Sequence, residues 1–261
     1  MRTVLTPLLA ACVALAAAPA TAQTERVETG DIRGAIAQIG THLGEMSMTM
    51  PAAAGEGVSE VLRFEPYQML DDLFRSDIVL LMRHGPTDWS KRDRTDVAPD
   101  DCDNQRIMTE DGKTQMRDLG ALLVANELVP SRVVVSQWCR NQETFDAIVA
   151  GMERVDPEIM RDIKVDTDPS LNLLLSLQGA PNVTDMRERI SAWDGEGGEA
   201  EGPLLVISHF TNIQELTEFS VYEGEMLVVD PTRANRVLGY IRLGSAKPDI
   251  GHFDASVVPD E

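Results

Sequence analysis

The sequence predicts an α/β protein, a three-layer α/β/α sandwich around a mainly parallel sheet. Short, continuous apolar runs at Asp77–Met82, Arg132–Ser136 and Pro203–Ser208 have the texture of strands buried on both faces. Between them lie stretches whose apolar residues recur at helical spacing. From Pro66 onward the two textures alternate, as strand-helix-strand units do.

Taken in order, Asp77–Met82 is the first buried strand. Thr109–Asn126 reads as a helix, with Thr109 as N-cap, Glu110 and Asp111 in the first turn, and Met116, Leu119, Leu122 and Leu123 on one face. Arg132–Ser136 is a strand and Asn141–Met152 a helix. Ile163–Val165 suits an edge strand, and Val183–Trp193 a third helix. Pro203–Ser208 is another buried strand, followed by a helix at Asn212–Glu218. Met226–Val229 and Val237–Leu243, separated by a turn containing Pro231, are expected as the last two strands. Residues 194–202, acidic and glycine-rich, read as a solvated loop.

The N-terminal end has a different character. Met1-Arg2 carries one positive charge, Val4–Ala18 is almost unbroken small and apolar sequence, and Ala20-Thr21-Ala22 offers an A-x-A cleavage site. Residues 1–22 are therefore expected to be a secretory signal peptide, which makes the protein periplasmic or secreted. A lipid-attachment box at Leu9–Cys12 is the rival reading, but the apolar run continues past Cys12. The run is too short to span a bilayer, which takes about 20 residues, and no later stretch is apolar for longer. Residues 23–65 are expected to form an extension, with a helix over Ile32–Leu43 and a loop or arm over Gly44–Gly57. Met46, Met48 and Met50 in that arm suit packing better than soft-metal binding, because no His or Cys supports them. Residues 66–261 are expected to be the main domain.

The formal net charge of −20 argues against nucleic acid or an anionic membrane surface as a bulk partner. It does not exclude a small anionic substrate, since a few Arg and His can reverse the field in one pocket. Cys102 and Cys139 remain after signal cleavage and are expected to be bridged in an oxidising compartment. Neither has a further Cys or His at ligand spacing, so no metal site is expected.

Three buried strands end in reactive residues: Arg83-His84-Gly85, Ser136–Arg140 and Ser208-His209. Ligands of open α/β sheets bind at the carboxyl ends of the strands, so two Arg and two His at three such ends point to one anion pocket.

Arg83-His84-Gly85-Pro86-Thr87 resembles the R-H-G-x-T signature of the histidine phosphatase (phosphoglycerate-mutase-like) superfamily. Met108–Gly112 through Gln115 and Leu119-Gly120 resembles the helix that follows in that family, Ser136–Thr144 its S-S-x-x-x-R-A-x-E-T element, and Ser208-His209 its late T/S-H element. The likeness covers roughly Ile78–Val229. It implies a small phosphorylated substrate, no cofactor, and His84 as a nucleophile phosphorylated on its ring. It places Arg83, Arg140 and His209 around the phosphoryl oxygens, where preorganised cations stabilise the transferring group. The Thr87 hydroxyl and the helix start near Asn212 are expected to add donors. Trp89 and Trp138 suit either the pocket or packing, and His42 and His252 have no assigned part.

The leaving-group acid departs from the family. The L-x-E position is matched by Leu171-Asn172-Leu173, and His209 is followed by Phe210 rather than an acid. Asp88 is the first candidate, ahead of Asp168 and Glu143. The expected activity is phosphomonoester hydrolysis through phosphohistidine. The alternatives are a catalytically weak phosphate-binding protein and, less favoured for an exported chain, a phosphomutase.

Overall fold

The computed structural model describes residues 39–42, 45–48, 58, 60–65, 72–196, 201–249 and 251–252. The expected signal peptide lies outside them. The strands are β1 (Ile39–His42), β2 (Glu45–Met48), β3 (Leu62–Phe64), β4 (Val79–Arg83), β5 (Arg132–Val135), β6 (Lys164–Thr167), β7 (Leu204–Ser208), β8 (Met226–Asp230) and β9 (Arg236–Leu243). The α-helices are α1 (Glu110–Ala125), α2 (Cys139–Val155), α3 (Thr184–Ser191) and α4 (Phe210–Thr217). The nine strands form one sheet in the order β1-β2-β3-β9-β8-β4-β7-β5-β6.

The runs read as doubly buried strands are so. Every residue of β4, β7 and β8 is buried. Alternate side chains supply opposite faces, the period-2 rule of a pleated strand. Leu80, Met82, Val133, Val135, Leu205 and Ile207 pack with α1 and α2 on one side. Val79, Leu81, Val134, Leu204 and Val206 pack with Met186 and Ile190 of α3 and Ile213 of α4 on the other. This is the expected three-layer α/β/α sandwich.

The sheet is not mainly parallel. Only β4–β7, β7–β5 and β5–β6 pair in parallel. The pairings β1–β2, β2–β3, β3–β9, β9–β8 and β8–β4 are antiparallel. A doubly buried apolar run such as Met226–Val229 looks the same in either orientation, so burial alone could not reveal this.

The N-terminal extension also differs from expectation. Ile39–His42, placed in a helix by the sequence, is a strand, and Glu45–Met48 pairs with it antiparallel. The free edge of β3 continues into this hairpin, and ladder hydrogen bonds there outweigh a short helical periodicity. The remainder of the expected helix and arm lies outside the described residues.

Helix α1 begins as its cap residue dictates, with the Thr109 hydroxyl oxygen accepting from the Gly112 amide at 2.9 Å. It packs against α2 closely enough that glycine is required on both. A Cβ at Gly120 would lie 2.0 Å from the Ile148 carbonyl oxygen, and one at Gly151 would lie 1.9 Å from that of Arg117. Cys102 and Cys139 are joined, with Cα atoms 5.5 Å apart. Among the described residues, no helix is long and apolar enough to cross a membrane.

Candidate active site

The parallel register of β4, β7 and β5 brings the three motif ends together. Arg83 pairs with Ser208, and Val135 with Ile207. His84 and His209 each follow the last residue of a paired strand, so they emerge side by side. The His84 amide donates to Ser208 O at 3.1 Å, and the Ser136 amide to Ile207 O at 3.0 Å. Thr144 of α2 fastens the loop after β4 by accepting from the Gly85 amide at 2.8 Å.

The two imidazole centroids lie 5.7 Å apart. Beside them is a cavity of about 440 Å³ lined by His84, Asp93, Arg106, Arg140, His209 and Phe210, with Trp89, Lys91, Arg92, Leu173, Leu175, Thr211, Gly251 and His252 completing its walls.

His84 is buried, and its Nδ1 lies 2.9 Å from Gly85 O. A carbonyl oxygen only accepts, so Nδ1 carries the proton and Nε2 keeps its lone pair. Burial first, then Arg140, Arg83 and His209, hold its pKa well below the ordinary value. His209 is depressed in the same direction by burial and by Arg140, Arg83 and Arg106. Its Nε2 lies 3.1 Å from the Ser136 hydroxyl, which leaves Nδ1 as the nitrogen open to a ligand.

Arg140 is buried at the start of α2, with Nη1 donating to both oxygens of Asp93 at 3.0 and 3.1 Å. Burial lowers its pKa to about 10, so it remains a cation at neutral pH. Arg83 lies behind the cavity wall: its Nη1 donates to Val221 O at 2.8 Å and to Asp249 Oδ2 at 2.6 Å, and Glu223 is 3.4 Å from Nη2. Three buried nitrogens of Arg83 and Arg140 have no hydrogen-bond partner: Arg83 Nε and Nη2, and Arg140 Nε. Each such donor costs about 1–3 kcal/mol when left unpaired, and an oxyanion supplies the acceptors they need.

The other expected residues are engaged elsewhere. The Thr87 hydroxyl donates to Glu223 at 2.5 Å, and Asn212 donates from its amide to Asn172 O at 2.9 Å. Neither lines the cavity, although Phe210 and Thr211 at the α4 N-terminus do. Asp88 accepts from the Ser90 hydroxyl at 2.6 Å, a bond that holds its pKa below the usual range, and it does not line the cavity. Asp168 binds Arg189 and caps Ser170, and Glu143 accepts from the Met108 amide at 2.9 Å. Asp93 is the one carboxylate among the lining residues, and both its oxygens accept from Arg140 or the Arg106 amide. Trp138 is fully buried, its ring edge-on to His209 at 5.9 Å, whereas Trp89 lines the cavity.

Two residues that the sequence did not single out join the site. The Arg106 guanidinium lies 3.6 Å over the Trp89 ring. His252 stacks on Phe210 at 4.0 Å and meets Trp89 edge-on at 5.5 Å. Gly251 permits this, because a Cβ there would fall 1.8 Å from the Trp89 ring. Position within a motif is the only sequence signal for such residues, and both lie outside the motifs.

A family model described as "Histidine phosphatase superfamily (branch 1)" matches residues 79–166, from β4 into β6. Among solved structures, the chain is similar to the protein histidine phosphatase SixA complexed with tungstate, at 20% identity, TM-score 0.43, covering 65% of this chain and 95% of that one. It is also similar to the ecdysone phosphate phosphatase from Bombix mori (13%, TM-score 0.41, 68% and 97%). Phosphoglycerate mutase from Plasmodium falciparum is a third such likeness (17%, TM-score 0.36, 70% and 98%). No curated protein matches the chain.

Buried neutral histidines make stability depend on pH. His84 and His209 have folded pKa values below the unfolded value of about 6.5. The unfolded chain therefore binds more protons below that pH, and stability falls as pH drops from about 6.5 towards the folded values. The slope is up to about 1.4 kcal/mol per pH unit for each histidine. The melting temperature should thus fall between pH 7 and 5, above the range where carboxylates protonate, and His209→Gln should make the fall shallower. A melting temperature constant across that interval would contradict the neutral pair.

Proposed function

We propose that the protein is an exported phosphohydrolase that works through a phosphohistidine on His84 and is suited to leaving groups that depart without a proton donor. The observation that carries the reading is the His84 ring itself: Nδ1 is tied to Gly85 O, and the neutral Nε2 belongs to a residue lining a cationic cavity. In the first step Nε2 attacks phosphorus and the bond to the leaving atom breaks, the electron pair going with that atom. In the second, water attacks phosphorus, the N–P bond breaks, and the lone pair returns to Nε2 while both water protons leave with the phosphate product. Arg140, His209 and the amides at the start of α4 meet the oxygens of the transferring group. The apolar segment at Val4–Ala18 and the joined cysteines support export.

The placement of Asp88, Asp168, Glu143 and Asp93 favours aryl phosphates and nitrogen-linked phosphoryl groups, whose leaving groups need little protonation. Side-by-side turnover of p-nitrophenyl phosphate and glycerol phosphate tests this. The aryl ester should be hydrolysed at least about 10²-fold faster, the usual contribution of a general acid. Equal rates would mean that a proton donor operates in the pocket. Hydrolysis of neither would favour the second reading, a phosphate-binding protein, which the pairing of Asp93, the one carboxylate lining the cavity, with Arg140 supports.

A further inference from the structure

Arg106 is in an unusual position for a cation. Its guanidinium makes no hydrogen bond and no ion pair within 4 Å among the described residues, its Nε is shielded from solvent, and burial lowers its pKa. One face is covered by Trp89. A stacked guanidinium keeps its N–H edge free for acceptors in its own plane, and a half-buried charge with no carboxylate in contact is costly.

Its place in the cavity is not that of Arg140. Arg140 sits against the two histidines at the strand ends, with its ring-stacking partner Trp138 buried beneath them. Arg106 is on the wall made by Trp89, against which Gly251 and His252 close. Exposed Lys91 and Arg92 line the same cavity and extend this outer positive region.

We infer that Arg106, stacked on Trp89, forms a second oxyanion subsite that receives a carboxylate or second phosphate carried by the leaving group. The inference rests on the phosphohydrolase reading for the placement of the first phosphoryl group at His84. It narrows the substrate class to phosphoryl compounds bearing a further anionic group. A bidentate pair between its fork and an oxyanion is a charge-assisted contact of the stronger kind.

Non-hydrolysable phosphonates test this by calorimetry. Benzenephosphonate carries one oxyanion group, and 2-, 3- and 4-phosphonobenzoate carry a second at three distances. At least one phosphonobenzoate should bind wild type about tenfold tighter than benzenephosphonate, a difference of about 1.4 kcal/mol. Arg106→Gln should abolish that advantage while binding benzenephosphonate as wild type does, and Arg106→Lys should keep part of it. If no phosphonobenzoate is preferred, or if Arg106→Gln weakens all four ligands equally, the subsite is wrong. A preference in a protein that forms no phosphohistidine would keep the subsite and remove the phosphohydrolase reading.

Discussion

Replacing His84 with alanine is expected to lower turnover of p-nitrophenyl phosphate by about 10⁴-fold or more, the scale on which loss of a nucleophile acts. Acid-quenched wild type should carry one phosphoryl group on His84, visible in the mass of the peptide containing Arg83-His84-Gly85, and the variant should carry none. The expectation follows from the proton placement at His84. With Nδ1 donating to Gly85 O, the ring presents one nucleophilic nitrogen, and no other side chain in the described site is placed to replace it. His209 is a neighbour at 5.7 Å, but its Nε2 faces Ser136. The fold should tolerate the change, since His84 makes a single side-chain hydrogen bond. A variant retaining near-normal activity would show that water or another group attacks phosphorus directly.

Replacing Arg140 should have the second largest effect. Arg140→Ala is expected to lower kcat/KM by about 10²–10³-fold, the scale of removing one preorganised donor from a developing oxyanion. Arg140→Lys should recover only part of the loss, because an ammonium cannot present a planar fork. Stability should also fall, since Asp93 accepts from both the Arg140 side chain and the Arg106 amide and would lose its cation. Asp93 is partly exposed, with 21% of its side-chain surface accessible, so the stability cost should be modest beside the kinetic one. Comparing the denaturation midpoint with kcat/KM separates the two. A loss of stability without a loss of rate would make Arg140 a structural ion pair rather than a ligand of the phosphoryl group.

What the sequence made legible divides along a physical line. His84, Arg140 and His209 could be found because each lies at a strand end, and local pattern is enough to locate strand ends. Helix α1 was legible to its cap because Thr109 and the Gly112 amide are three residues apart. The orientation of β8 was not, since a run of buried apolar residues carries no direction. The ends of the site that come from elsewhere were hidden for a different reason. Asp249 meets Arg83 across 166 residues, and His252 reaches Phe210 only because Gly251 lets the chain pass over Trp89. Such contacts depend on the tertiary path of the chain and leave no periodicity behind. Asp88 shows the converse error: four residues from His84 in sequence, its carboxylate turns to Ser90 instead of the cavity.

The parallel register that sets His84 beside His209 separates chemistry from selectivity. His84 and His209 directly follow hydrogen-bonded strands packed on both faces, so moving them means shifting the register of the sheet. Part of the wall comes from irregular chain within residues 89–106 and from Gly251 and His252, which can change composition without disturbing that register. Exchanging residues of those segments other than Asp93 and Cys102, which hold Arg140 and the start of α2, therefore offers a route to new substrates, whereas substitutions aimed at β4, β5 or β7 would alter the reacting geometry as well.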